Sequence, residues 1–118
     1  MIALFKVCSR VAAAFAVLTL FVVFGAAPSH AQDATVSISI KNHRFEPAEI
    51  SAPAGKRIVL RIKNLDPTPM EFESVTLRVE KVVPGNSEGV INLRPLEPGS
   101  YKFFDDFNKS AAGVLVVK

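Results

Sequence analysis

The sequence is poor in the residues that carry thiol and imidazole chemistry. Its 118 residues include no tryptophan, one cysteine (Cys8) and two histidines. So few thiols and imidazoles leave no redox dithiol, no zinc-type ligand spacing and no Ser-His-Asp set with a nucleophile elbow. The chain also lacks a glycine-rich phosphate-binding loop. We therefore predict no hydrolytic or thiol-dependent site, and no catalytic or cofactor-binding residue.

The long apolar run of the chain lies at its N-terminus. Lys6 and Arg10 precede the apolar residues 11–27, and small residues, Ser29 and Ala31, stand at the positions that a signal peptidase reads. This arrangement is typical of a secretory signal peptide. The run is shorter than the roughly 20 residues that span a bilayer. We predict cleavage after Ala31, with an uncleaved membrane anchor as the alternative.

Cleavage at this point divides the chain into a signal peptide, residues 1–31, and one exported periplasmic domain, residues 32–118. Cys8 leaves with the signal, so the domain has no cysteine although an oxidising compartment would permit disulfides. Two basic residues leave as well, and the remaining lysines and arginines are scattered among acidic residues. This pattern predicts no nucleic-acid partner.

Apolar and polar residues alternate over much of the predicted domain. Val36, Ile38 and Ile40 are separated by polar residues, and a second alternating run starts at Ile58. Alternation of this kind indicates half-buried strands. With no helical period of useful length and about seven short strands punctuated by proline and glycine, the sequence predicts an all-β fold, a small Greek-key β-sandwich.

Two adjacent carboxylates, Asp105 and Asp106, lie inside an aromatic stretch, residues 101–113. A turn at Pro98-Gly99 precedes this stretch, and we predict it to be a short loop between two core strands. Successive side chains of an extended segment point to opposite faces, so one of the two carboxylates can face a given site. Loops held by rigid strands often carry function.

A second pair of carboxylates lies on a predicted strand, residues 70–74. Glu71 and Glu73 share parity on this strand, so both side chains point to the same face while Phe72 points to the core. Two converging carboxylates suit a hard metal ion. The alternative is that the two glutamates form the solvated face of the strand.

Four segments resemble the cupredoxin-like domain family in content and spacing: 45–47 (Phe-Glu-Pro), 69–72 (Pro-Met-Glu-Phe), 98–101 (Pro-Gly-Ser-Tyr) and 113–117 (Gly-Val-Leu-Val-Val). The resemblance covers nearly all of the predicted domain and implies the same β-sandwich. Blue-copper members of the family carry a histidine after the proline of the second segment, and a cysteine, a histidine and a methionine in the last loop.

This chain differs from the blue-copper pattern at every ligand position. It has Met70 and Asn108 in place of the histidines, Asp105 in place of the cysteine and Ala111 in place of the methionine. A blue-copper site needs a thiolate and two imidazoles. We therefore expect no electron-transferring copper site.

A closer resemblance is to the cupredoxin-like components of bacterial iron uptake systems. It is carried by segments 71–73 (Glu-Phe-Glu), 78–81 (Arg-Val-Glu-Lys) and 105–107 (Asp-Asp-Phe). The resemblance implies binding of ferrous iron, oxidation to ferric iron in some systems, and delivery to a membrane iron permease. Family members often have a histidine where this chain has Asn108.

The expected metal ligands share oxygen, imidazole or thioether donors. Asp105 stands where the family's sulfur ligand stands and is the first choice, while Asp106 supports it or caps the turn. His43, Met70 and Glu80 each have an alternative: an exposed loop imidazole, a packing residue and a charge-paired strand residue. The full set is Asp105, Glu71, Met70, Glu73, His43, Glu80 and Asp106.

Three alternatives remain open at the level of function. The first is a copper carrier in which Met70 and His43 hold the ion, and the second is a metal-free module that docks on a membrane partner. The third is a homodimer in which acidic half-sites from two chains make one complete site. The aromatic side chains are expected to pack in the core or close the loop rather than carry chemistry: Phe45, Phe103, Phe104 and Phe107.

Overall fold

A computed structural model describes residues 32–118 together with Val22 and Gly25. The predicted signal peptide, residues 1–31, otherwise lies outside the described residues. No helix among the described residues is long and apolar enough to cross a membrane. The described residues form nine strands: β1 (Ala34–Lys41), β2 (Arg44–Glu46), β3 (Glu49–Ala52), β4 (Ile58–Asn64), β5 (Met70–Ser74), β6 (Val79–Val83), β7 (Ser87–Leu93), β8 (Gly99–Asp105) and β9 (Asn108–Val117).

The strands form two sheets. One sheet has the order β2-β1-β4-β7 and the other has the order β3-β9-β8-β5-β6. The pairs β1–β4 and β3–β9 are parallel, and the remaining pairs are antiparallel. The all-β sandwich predicted from the sequence is therefore confirmed, with nine strands in place of about seven.

The core lies between the two sheets, because most apolar residues of the strands face inward, although Val82 and Val90 are exposed. The aromatic centre of the core consists of Phe45, Phe72 and Phe103. The rings of Phe72 and Phe103 stack with centroids 5.0 Å apart, and Phe45 meets the Phe103 ring edge-on at 5.0 Å. Such pairs stabilise a core beyond the area they bury, and this packing fixes β2, β5 and β8 relative to one another.

The stretch 101–113 is a hairpin and not the loop predicted from the sequence. β8 and β9 extend through it, and the connecting turn consists of Asp106 and Phe107 alone. Phe103 and Ala111 are buried on the core side of this hairpin. Phe107, which the sequence predicts to pack or to close the loop, is 55% exposed at the turn.

Candidate metal site

Alternation along β5 separates its carboxylates from the core. Met70, Phe72 and Ser74 are buried, whereas Glu71 and Glu73 are half-buried on the outer face of the five-stranded sheet. This is the arrangement that the parity of the two glutamates predicted. The outer face of β5 therefore offers two carboxylates on one side of a rigid strand.

The turn between β8 and β9 brings a third carboxylate to the same face. Glu71, Glu73 and Asp106 each offer a carboxylate oxygen, and these oxygens lie within 4.8 Å of one another. The backbone N–H of Asp106 donates a hydrogen bond to the carbonyl oxygen of Glu71 at 2.9 Å. We call these three residues the carboxylate cluster.

Two residues of β6 border the carboxylate cluster. Glu80 lies directly opposite Glu73 in the β5–β6 ladder, and Val82 lies opposite Glu71. Both side chains are exposed. Directly opposed residues of an antiparallel pair share a face, and like charges in that position repel one another. Glu80 thus adds negative charge beside the cluster, although it is not one of the three converging groups.

Desolvation and the neighbouring negative charges make ionisation of Glu71 and Glu73 harder. Desolvation raises the pKa of both Glu71 and Glu73 above its ordinary value, and the charges of Asp106 and Glu80 raise it further. The side chain of Lys109 offsets part of this charge, with its Nζ atom 3.7 Å from Asp106 Oδ1. An exposed ion pair of this kind is weak. A bound cation would relieve the repulsion that remains.

Asp105 lies apart from the cluster, although the sequence predicts it as the first metal ligand. Its side chain is 2% exposed, on the same side of β8 as the core residue Phe103. Asp105 Oδ1 accepts hydrogen bonds from the backbone N–H groups of Glu71 and Phe107. The burial of Phe103 two residues earlier was the signal that could have assigned Asp105 to the inside and Asp106 to the outside.

Neither Met70 nor His43 joins the carboxylate cluster. Met70 is 2% exposed and packs in the core, on the opposite side of β5 from Glu71 and Glu73. His43 lies in the exposed turn between β1 and β2, where its Nδ1 atom is 3.9 Å from Asp66 Oδ2. The structure thus brings together three of the seven predicted ligands, places Glu80 beside them, and leaves Asp105, Met70 and His43 elsewhere.

The chain is similar to a protein-family model and to a known protein sequence. A family model described as a cupredoxin-like domain matches residues 12–117 of the chain. An uncharacterized protein of Rickettsia prowazekii (strain Madrid E) is 42% identical over 83 residues, which are 70% of this chain. The match spans 66% of that relative's own length.

Several solved structures are similar in fold. The metal-binding domain of the Streptococcus pneumoniae Cu(I)-exporting P-type ATPase CopA, solved with Cu(I), matches at a TM-score of 0.66 and 19% identity, covering 73% of this chain and 86% of that chain. A copper-binding protein in the apo form matches at a TM-score of 0.63 and 18% identity, covering 74% of this chain and 96% of that chain. A purple cupredoxin from Nitrosopumilus maritimus matches at a TM-score of 0.54 and 19% identity, covering 73% of this chain and 100% of that chain. At these identities the likeness shows the fold alone.

Proposed function

This chain belongs to the cupredoxin-like domain family, and we propose that it is a periplasmic protein that binds ferrous iron as cargo and delivers it to a membrane iron permease. The observation that carries the proposal is the carboxylate cluster, three carboxylate oxygens within 4.8 Å on a rigid sheet face. Glu71, Glu73 and Asp106 are the proposed ligands, with Glu80 contributing charge at the border.

The chemistry of the donor set supports a hard divalent ion. All three proposed ligands are carboxylates, and oxygen donors suit hard cations better than soft ones. The choice of iron among such ions rests on the resemblance to components of bacterial iron uptake systems. Anionic oxygen ligands also stabilise the more highly charged ferric ion more strongly than the ferrous ion. Iron in this site is therefore easier to oxidise once an electron acceptor is supplied.

The residues do not fit the blue-copper centre that the fold family implies. The predicted domain, residues 32–118, has no cysteine and one histidine, His43. A blue-copper site requires two imidazoles and a thiolate. His43 is exposed and Met70 is buried in the core. This domain therefore does not supply the ligands of a blue-copper electron-transfer site.

Anaerobic calorimetric titration with ferrous iron tests the proposal. Because glutamine keeps the shape of glutamate but lacks its charge, Glu71→Gln and Glu73→Gln are each expected to weaken binding by at least about tenfold, which corresponds to 1.4 kcal/mol. Glu49→Gln is the matched control, since Glu49 is exposed on β3 at the opposite edge of the same sheet. Absence of ferrous iron binding by the wild-type domain would overturn the proposal.

A copper carrier is the second candidate, because the solved structures named above include copper proteins. Met70 and His43 would then hold Cu(I). Met70→Leu conserves volume in the core and removes the thioether. Tight Cu(I) binding that is lost in Met70→Leu and in His43→Gln, without a response to ferrous iron, would favour this candidate. A domain that binds neither ion would favour a metal-free docking module.

A further inference from the structure

The buried carboxylate of Asp105 has no part in the proposed ligand set, yet it is bonded to both elements that supply the ligands. Its side chain is 2% exposed. Asp105 Oδ1 accepts a hydrogen bond from the backbone N–H of Glu71 at 2.9 Å and another from the backbone N–H of Phe107 at 3.0 Å. One oxygen atom thereby joins β5 to the turn that follows β8.

These bonds lie where the backbone ladder between β5 and β8 ends. Its last register pair is Phe72 with Asp105, and a register shift follows Phe104 on β8. Beyond that pair, the backbone N–H of Glu71 donates a hydrogen bond to Asp105 Oδ1, and the backbone N–H of Asp106 donates one to the carbonyl oxygen of Glu71.

We propose that Asp105 is a positioning residue of the metal site, which holds the β8–β9 turn against β5 so that Asp106 meets Glu71 and Glu73. This inference rests on the proposed function, and it assigns Asp105 no bond to the metal. Groups that orient metal ligands through hydrogen bonds contribute to affinity although they do not touch the ion.

Two substitutions separate positioning from ligation. Asp105→Ala removes the acceptor, and we expect it to weaken ferrous iron binding by about 10- to 100-fold in anaerobic calorimetry. Asp105→Asn keeps a carbonyl oxygen that can accept both N–H groups, so most of the affinity should be retained. If Asp105→Asn binds iron as weakly as Asp105→Ala, the carboxylate itself is needed and the positioning role is overturned.

Asp66→Ala is the matched control. Asp66 is also buried, with 8% exposure, and its carboxylate accepts backbone N–H bonds from Asn42 at 2.7 Å and His43 at 2.9 Å. Each alanine variant loses a buried carboxylate that accepts two backbone N–H bonds at a turn, so both variants should be less stable. Only Asp105→Ala should lose iron affinity, and equal losses in the two variants would overturn the proposal.

Amide hydrogen exchange tests the same role without metal. In the metal-free domain, the amides of Asp106 and Phe107 should exchange faster in Asp105→Ala than in the wild type, and Asp66→Ala should leave them unchanged. Unchanged exchange in Asp105→Ala overturns the positioning role. If the wild type binds no iron, the proposed function fails. Amide exchange still tests whether Asp105 holds the β8–β9 turn against β5.

The wild type supplies a measurement that does not depend on a folded variant. Phe107 lies in an exposed two-residue turn, so its amide exchanges slowly only if a partner accepts it. Slow exchange supports the bond to Asp105. Rapid exchange of this amide overturns the proposal even if Asp105→Ala does not fold.

Discussion

At the scale of single residues, the face that a carboxylate occupies decides its role. Asp105 and Asp106 are neighbours in sequence, yet one is buried and bonded to backbone amides while the other faces Glu71 and Glu73. Asp105 lies two residues after the buried Phe103, so alternation along the strand predicts that Asp105 faces inward and Asp106 outward. The resemblance to blue-copper proteins predicts Asp105 as a ligand because a sequence resemblance aligns positions and not side-chain directions.

The raised pKa values of Glu71 and Glu73 predict how stability depends on pH. A carboxyl whose pKa is raised by folding binds its proton more tightly in the folded state. Its favourable contribution to the free energy of unfolding is present at pH values below the pKa of the unfolded state. It is lost as the pH rises through the pKa of the folded state. We expect urea unfolding to show a loss of stability as the pH rises from 4.5, the ordinary glutamate pKa, through the raised pKa values of Glu71 and Glu73.

Glu73→Gln is the variant that tests this assignment. Removing the charge of Glu73 should reduce the loss of stability with rising pH, because Glu73 then no longer titrates and Glu71 and Glu80 meet less repulsion. Glu49→Gln should leave the pH profile unchanged. A Glu73→Gln profile that matches the wild type would show that the carboxylate cluster is not electrostatically strained.

At the scale of elements, β5 shows how far the sequence predicts the site. Its bounds and the direction of each side chain follow from alternation, because one face is buried and a shift of one residue would reverse every side chain. The β8–β9 hairpin was harder to predict. Aromatic residues on both faces obscure its alternation, and no glycine marks the turn at Asp106-Phe107, so the sequence alone predicts a loop there.

The contact of β9 with its neighbours gives a prediction at this scale. A Cβ atom added at Gly113 would lie 2.6 Å from the carbonyl oxygen of Ala48 and from the ring of Phe103. Gly113→Ala should destabilise the domain by about 1–3 kcal/mol, because overpacking forces the neighbours apart. Chemical unfolding measures the effect. Gly99→Ala, whose Cβ would lie 3.8 Å from the Tyr101 ring, is the control and should cost clearly less.

At the scale of the whole molecule, the sandwich could be predicted from strand patterns and turns, whereas convergence of the three carboxylates could not. Glu71 and Asp106 are distant in sequence, and their approach depends on the pairing of β5 with β8. Pairing between distant strands depends on the packing of the whole core. The role of Asp105 likewise follows from a contact that spans 34 residues.

Metal binding should stabilise the whole domain. A ligand that binds the folded state alone at 100 times its Kd adds about 2.7 kcal/mol to the free energy of unfolding. We expect the Tm of the metal-free domain to rise with ferrous iron under anaerobic conditions, and to rise less in Glu71→Gln. Equal shifts in the two proteins would place the binding site elsewhere.

The most direct test of the central claim is a crystal structure of the domain loaded anaerobically with ferrous iron, with anomalous scattering recorded at the iron edge. Our account predicts one strong peak within bonding distance of carboxylate oxygens of Glu71, Glu73 and Asp106, with Asp105 still bonded to the amides of β5 and the turn. An iron peak at another position, such as beside His43, or no peak at the carboxylate cluster in crystals that contain iron, would contradict it.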